Sequence, residues 1–471
     1  MTNFASGSFL LFFSVVFFAT FILKNPRLKK LMLLGASLYF YATINLGFCL
    51  LLVVLGSFNY LMGRARPDHG RDEPARLWLA VALGGNLVVL IFYKYAGFLI
   101  TDVWPGDLSQ TAAQRFFDQI VLPLGISFYT FQNLSYILEV YYRRYPPCES
   151  FADYLLYISF FPQLLSGPIV RPQQFLPQLQ DNPTVDFETR MSGFALFLQG
   201  VAKKIFFADV IGRTIVSPAF AQPELFHPAF LVFALYAFSI QIYMDLSGYT
   251  DMARGSARLL GYELPENFRS PYAATSVGNF WQRWHITMSS FFRDYVFFSL
   301  GGSRRGNAYV NVVITFVAIG IWHDAGWNFV VYGFCHGGMV AFERWRRRRH
   351  EAAGRPPAVP TWWGTLASIV FVFSFVSFTR VLFRGESLAS AGDYLGAIAT
   401  APGDLLPPVW LGYAAAGLGL ALHYLPPARR EAMRGRFSAL PSVVQAAVAV
   451  VVIYAAVAIS AGSPGFIYFQ F

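Results

Sequence analysis

Histidine is the side chain best suited to take a proton from an alcohol near neutral pH. Two of the chain's seven histidines, among the polar groups set where they are expensive, are candidates for that role. His323 lies in Gly320-Ile321-Trp322-His323-Asp324-Ala325-Gly326-Trp327-Asn328, inside the apolar run that begins at Tyr309. On a helix that is about 21 Å into the run. A lone histidine at such depth is as often a packed core residue as a reactive one. The adjoining Asp324 and Asn328 favour chemistry, because a catalytic imidazole needs a partner to fix its tautomer. His323 is therefore the leading candidate for a general base.

His285 lies in Asn279-Phe280-Trp281-Gln282-Arg283-Trp284-His285-Ile286-Thr287-Met288-Ser289-Ser290. Trp281, Trp284, Met288, Phe292 and Tyr295 fall at helical spacing, which predicts an amphipathic helix lying on the inner membrane surface. Aromatic stripes of this kind more often anchor than react, but His285 sits within that face. A third cluster, Met244 to Arg254, holds Asp245 and Asp251 with two hydroxyls. It forms an acidic funnel or simply a helix end with local hydrogen bonds. On one continuous helix, His336 would point about 220° away from His323. The two are then not expected to chelate one metal, and His336 reads as packing.

Several chemistries lose support. The chain has no GxxxxGK[ST] phosphate loop, HExxH, GxSxG or CxxC. Cys49, Cys148 and Cys335 are too scattered for a disulfide framework or a zinc site.

These residues need a scaffold, and composition says which. Of 471 residues only 13% are charged and 55% are hydrophobic, 49 of them Phe. Soluble domains carry roughly 25% charged residues. The chain reads as an all-α polytopic membrane protein, a single domain over 1–471. Counting apolar runs of about 20 residues gives about 11 to 13 transmembrane or re-entrant helices. The net charge of +10 concentrates in loops that the positive-inside rule places in the cytoplasm, so it needs no nucleic acid. Those loops are 24–30, 64–76, 143–144, 254–305, 344–349 and 429–436; 101–118 and 385–408 fall outside. Equal basic flanks on Leu31 to Met62 require two crossings, broken near Asn45-Leu46-Gly47. The same parity puts both termini outside, and Gly7 to Leu23 reads as an anchor rather than a cleaved signal.

With the motifs in hand, the chain resembles the membrane-bound O-acyltransferases, in their bacterial exopolysaccharide O-acetylation branch. The matching stretches are Leu122 to Gln132, Phe161-Pro162-Gln163-Leu164, Ser166-Gly167-Pro168-Ile169, Asp245 to Ala253, Asn279 to Ser290, Trp322 to Trp327 and the ending Phe466 to Phe471. The resemblance implies helices ringed around a tunnel. It places the family's catalytic histidine on His323 and a second important one on His285. Asp324 stands where a glycine is common. Gln132, Asp245, Asp251, Trp322 and Asp324 are expected to line the tunnel or bind substrate. The oxyanion stabiliser that acyl transfer needs is Asn279, Trp284 or backbone amides. The implied donor is cytoplasmic acetyl-CoA, a substrate rather than a bound cofactor, drawn by Arg269, Arg283, Arg293, Arg304 and Arg305. The implied acceptor is a periplasmic SGNH-type partner or the polysaccharide itself, reached from the bacterial inner membrane. The related D-alanylation proteins take their acyl group from a carrier protein, which leaves that donor open. A secondary transporter or polysaccharide export channel is the rival class, though no paired repeat is visible.

Overall fold

The computed structural model describes residues 4, 6–67, 73–104, 116–117, 119–181, 185–354, 361–400 and 403–460. Among these the chain is helical, with one isolated bridge between Phe226 and Leu405. The ending 466–471 and most of the 101–118 loop lie outside the described residues.

The chain divides into two compact units. The first draws on Met1–Val201, Tyr249–Pro265 and Arg434–Ala461; the second on Ala202–Gly248 and Glu266–Met433. In the first unit, α1 (Gly7–Ile22), α2 (Pro26–Ala42) and α3 (Leu46–Arg64) follow one another. The break between α2 and α3 falls where charge parity requires it. Asn45, extended at φ −162°, caps α3 by accepting from the Phe48 amide, the usual role of asparagine at a helix start. Next come α4 (Glu73–Leu90), α5 (Ile126–Tyr141), α6 (Phe151–Ser159) and α7 (Phe187–Ala202).

Four helical stretches are long and apolar enough to cross a membrane among the described residues: Leu46–Arg64, Glu73–Val103, Pro228–Leu260 and Trp362–Arg384. A bent pair, Pro427–Ser438 with Ser442–Ala456, makes five if counted as one span. Part of the larger number of apolar runs in the sequence falls on continuous but shorter helices, α1 and the 16-residue Ala308–His323, and part on runs that the backbone interrupts. Ile120 to Tyr142 becomes helical only at Ile126, after Pro123 and a left-handed Gly125 (φ 78°). The run from Phe151 stops at Phe160, ahead of Pro162. Such broken backbone survives at membrane depth only when protein or a water-filled cavity surrounds it.

In the second unit α8 (Pro228–Leu260) contributes its first part. Then come α9 (Val277–Trp281), α10 (Ile286–Phe292), α11 (Ala308–His323), α12 (Trp327–Ala352), α13 (Trp362–Arg384), α14 (Leu388–Thr400) and α15 (Trp410–Tyr424). The run Tyr309 to Phe342 is not one helix. It turns back at Asp324–Gly326, where both residues are extended, so α11 and α12 form a hairpin and the single-helix geometry expected for His323 and His336 fails.

Glycines let the hairpin close. A Cβ on Gly320 would strike the Phe329 carbonyl oxygen, and one on Gly333 the Phe316 carbonyl oxygen. Backbone cannot yield as a flexible side chain can, so Gly320→Ala and Gly333→Ala are each expected to cost about 1–3 kcal/mol as overpacking. Thermal unfolding in detergent should show it; an unchanged midpoint for both would mean the helices separate easily.

Candidate active site

His323 is the last residue of α11 and is 5% exposed. Its ring packs edge-on to Phe383 of α13 (5.0 Å between centroids) and faces Tyr332 of α12 (6.3 Å). Trp322 lies beside it at 4.7 Å, and the same indole meets His285 edge-on at 5.7 Å. The two histidines that sequence singled out, 38 positions apart, thus pack against one tryptophan in the same core.

His285 reaches this depth because its segment is not a continuous amphipathic helix. α9 ends at Trp281, and His285 itself adopts left-handed backbone (φ 46°) before α10 starts. Trp281, Trp284, Met288, Phe292 and Tyr295 are all buried, which corrects the expected surface helix. Two contacts track the segment along α12, and a third reaches α11. Glu343 accepts from the Val277 and Gly278 amides, at 2.6 and 3.0 Å, as a carboxylate at a helix start should. Trp281 donates its indole N–H to His336 Nδ1 at 3.2 Å. His285 then meets Trp322 near the hairpin turn. The strand-like passage is fixed by Asn267, whose carbonyl accepts from the Ile286 amide and whose Oδ1 accepts from both Thr287 N and Oγ1. With Oδ1 so used, the Asn267 amide nitrogen is the donor toward His285 Nδ1 at 3.4 Å. A neutral His285 then carries its proton on Nε2.

His336 is a satisfied core histidine. It accepts from Trp281 and shares a 3.0 Å bond with Thr379 Oγ1, whose own hydrogen goes to the Val376 carbonyl. That agrees with its expected packing role. Sequence reasoning passed over His423, 2% exposed on α15, whose Nε2 accepts from the Tyr272 amide at 3.1 Å. It also passed over Arg380, buried in α13. Both are polar groups inside apolar runs, and that is the signal that would have found them.

The other expected site residues are placed as follows. Trp284 is buried between Phe268 and Phe280, at 5.0 and 5.5 Å. Asn279 is half-buried and binds Gln282 and Arg283 rather than either histidine. Asp324 Oδ1 accepts from the Ala325 amide, and Asn328 donates to the Leu382 and Gly385 carbonyls. These two therefore build the hairpin turn and tie it to the end of α13. Asp245 is buried against Lys204 at 2.7 Å, and Lys204 also meets Asp209 at 2.9 Å. The remaining two belong to the first unit: Asp251 accepts from Gln199 at 2.8 Å, and Gln132 is buried in α5. Of the surface arginines, Arg269 pairs with Glu266 and Arg293 with Asp294, each at 2.7 Å.

Residues 143–383, just over half of the chain, match the family model described as MBOAT, membrane-bound O-acyltransferase family. A probable alginate O-acetylase AlgI of Pseudomonas putida is 34% identical, over 84% of this chain and 80% of its own length. A peptidoglycan O-acetyltransferase of Helicobacter pylori is 32% identical, over 81% and 76%. A teichoic acid D-alanyltransferase of Bacillus subtilis is 27% identical, over 61% and 74%. All three relatives are named for acyl transfer, which leaves the transporter reading without support.

Proposed function

The chain belongs to the membrane-bound O-acyltransferase family and is an O-acyltransferase; from that premise we propose that it moves acetyl from cytoplasmic acetyl-CoA to an acceptor outside the bacterial inner membrane. The acceptor is the serine of a periplasmic SGNH-type partner, or the hydroxyl of an exported polysaccharide. The observation that carries this reading is the pair of buried imidazoles packed against the one indole of Trp322.

His323 takes the acceptor's hydroxyl proton as its oxygen attacks the thioester carbonyl, and CoA leaves as the thiol once that proton is returned. His285, with its proton on Nε2, donates to the reacting group rather than removing a proton. The depth of His323 suits this division. α11 runs 16 residues from Ala308, about 24 Å of rise, so its last residue lies far from the basic loop at 304–305, and the arginines 344–349 lie at the far end of α12. Donor from the basic side and acceptor from the acidic side therefore meet near the hairpin turn. The reaction needs no resident cofactor.

Membranes holding this protein and the host's periplasmic acetylation partner are expected to release thiol from acetyl-CoA. Release only from a carrier-protein thioester would assign the donor class for which the D-alanyltransferase relative is named. No release from either would end the reading.

His285 needs a substitution that respects its backbone. Asparagine tolerates the left-handed region, whereas alanine would add strain to the loss of the ring. His285→Asn is expected to lower kcat about 10²-fold with folded yield unchanged. Wild-type kcat in that variant would reduce His285 to a packing residue.

A further inference from the structure

One charge in the second unit is used by none of these roles. Arg380 lies on α13, a membrane-length helix, and is 2% exposed. Its Nη1 donates to the Ser239 carbonyl at 3.1 Å and to the Tyr272 hydroxyl at 2.6 Å. The guanidinium sits over the Trp284 ring, 4.5 Å from the centroid, and over Tyr272 at 5.4 Å. Among the described residues no carboxylate comes within ion-pair distance of it. A guanidinium has five N–H groups, about two of which belong to Nη1. The Nε and Nη2 hydrogens have no acceptor among the described residues.

A buried cation without a counter-ion is costly, and stacking on aromatic faces offsets that only in part. Its position matters as much as its charge. Trp284, under the guanidinium, directly precedes His285. Tyr332 and His336 both lie within electrostatic range of Arg380, and Tyr332 faces His323. Through Trp284 and Tyr332 the guanidinium thus belongs to the same buried cluster as the two reactive histidines.

We propose that Arg380 binds the oxyanion formed during acyl transfer. The inference rests on the thioester-donor reading above. When the acceptor oxygen bonds to the carbonyl carbon, the π pair moves onto the carbonyl oxygen and the hydroxyl proton passes to His323. The Nε and Nη2 hydrogens hold that negative oxygen. Collapse restores the carbonyl, breaks the C–S bond, and the thiolate takes the proton back. A planar fork with fixed charge in a dry site is well suited to charge that exists only in transit. The same free hydrogens would also hold a phosphate of the donor, since the chemistry of an anionic oxygen is shared, so the test separates the two.

The test measures kcat and KM for thiol release by the purified full chain with its acceptor, comparing wild type, Arg380→Gln and Arg380→Lys. Arg380→Gln is expected to lose about 10²-fold in kcat, with the donor KM within about threefold of wild type, as removal of an oxyanion donor does. Arg380→Lys, which keeps the charge and loses the fork, should recover part of that loss. A raised KM at wild-type kcat would assign the arginine to donor phosphate and overturn the proposal. So would activity that falls only in step with folded protein, as expected if Arg380 merely ties α13 to Ser239 and Tyr272. If Arg380→Gln does not accumulate, Arg380→Lys decides alone: about a tenfold lower kcat supports the proposal and an unchanged one overturns it. Wild type is assayed first on acetyl-CoA and on a carrier thioester. Consumption of only the second shifts the donor and leaves the arginine comparison intact. Consumption of neither defeats both readings.

Discussion

His323→Ala is expected to abolish thiol release, lowering kcat on the order of 10³-fold or more while the protein accumulates normally. The loss should be chemical because the hairpin that carries His323 is held by other groups. Asn328 ties the turn to the Leu382 and Gly385 carbonyls, and Asp324 caps Ala325. The tight crossing at Gly320 and Gly333 lies within α11 and α12 themselves. Truncating the imidazole leaves a space against Phe383 and Tyr332, a packing loss that His323→Gln largely avoids. Both variants should therefore be equally inactive although they differ in packing. If His323→Gln released thiol at the wild-type rate in matched membranes, the base would have to be sought elsewhere in the aromatic cluster, and His285 would be the first to examine.

What the sequence disclosed and what it hid divide along physical lines. Membrane class follows from composition, because no arrangement of 13% charged residues covers a soluble core of this size. The break at Asn45 follows from charge parity, and the asparagine cap realises it. His323 and His285 stand out because imidazoles inside apolar segments are rare. The turn at Asp324–Gly326 was hidden, since Ala-Gly within an apolar run does not by itself mark a reversal. The reversal depends on glycines at 320 and 333 meeting across the hairpin, a tertiary fact. Helical periodicity misled over 281–295 for a related reason. The aromatic spacing there serves burial on all sides, and the left-handed His285 breaks the helix that the spacing suggests. Arg380 went unnoticed because it sits near the end of its apolar run, where a long side chain ordinarily snorkels to the interface; here it turns inward to Ser239 and Trp284.

The largest stability effect should come from Lys204. It is the shared partner of Asp209 and Asp245, and all three side chains are almost wholly buried, with 7%, 3% and 2% exposure. Arg213 acts on Asp209 electrostatically as well, but Lys204 is the cation that meets both carboxylates. That shared position makes the consequences of substitution asymmetric. Lys204→Met leaves two carboxylates facing each other without their cation, and a broken buried pair costs about 3–5 kcal/mol. Asp245→Asn keeps Lys204 paired with Asp209 and should cost less than Lys204→Met. Replacing all three with Met, Asn and Asn removes every charge and should recover most of what Lys204→Met loses. Detergent-extracted yield and thermal midpoint read these effects directly. Equal stability of wild type and Lys204→Met would show that water or lipid headgroups already screen the cluster. Asp245 also stood as a candidate for lining the acyl path, and the same variant separates that role from the ion pair. If Asp245→Asn folds normally and turns over normally, its carboxylate serves the fold alone. If it folds normally but loses turnover, the carboxylate acts on the substrate path as well, because the ion-pair count alone gives no reason for activity to fall.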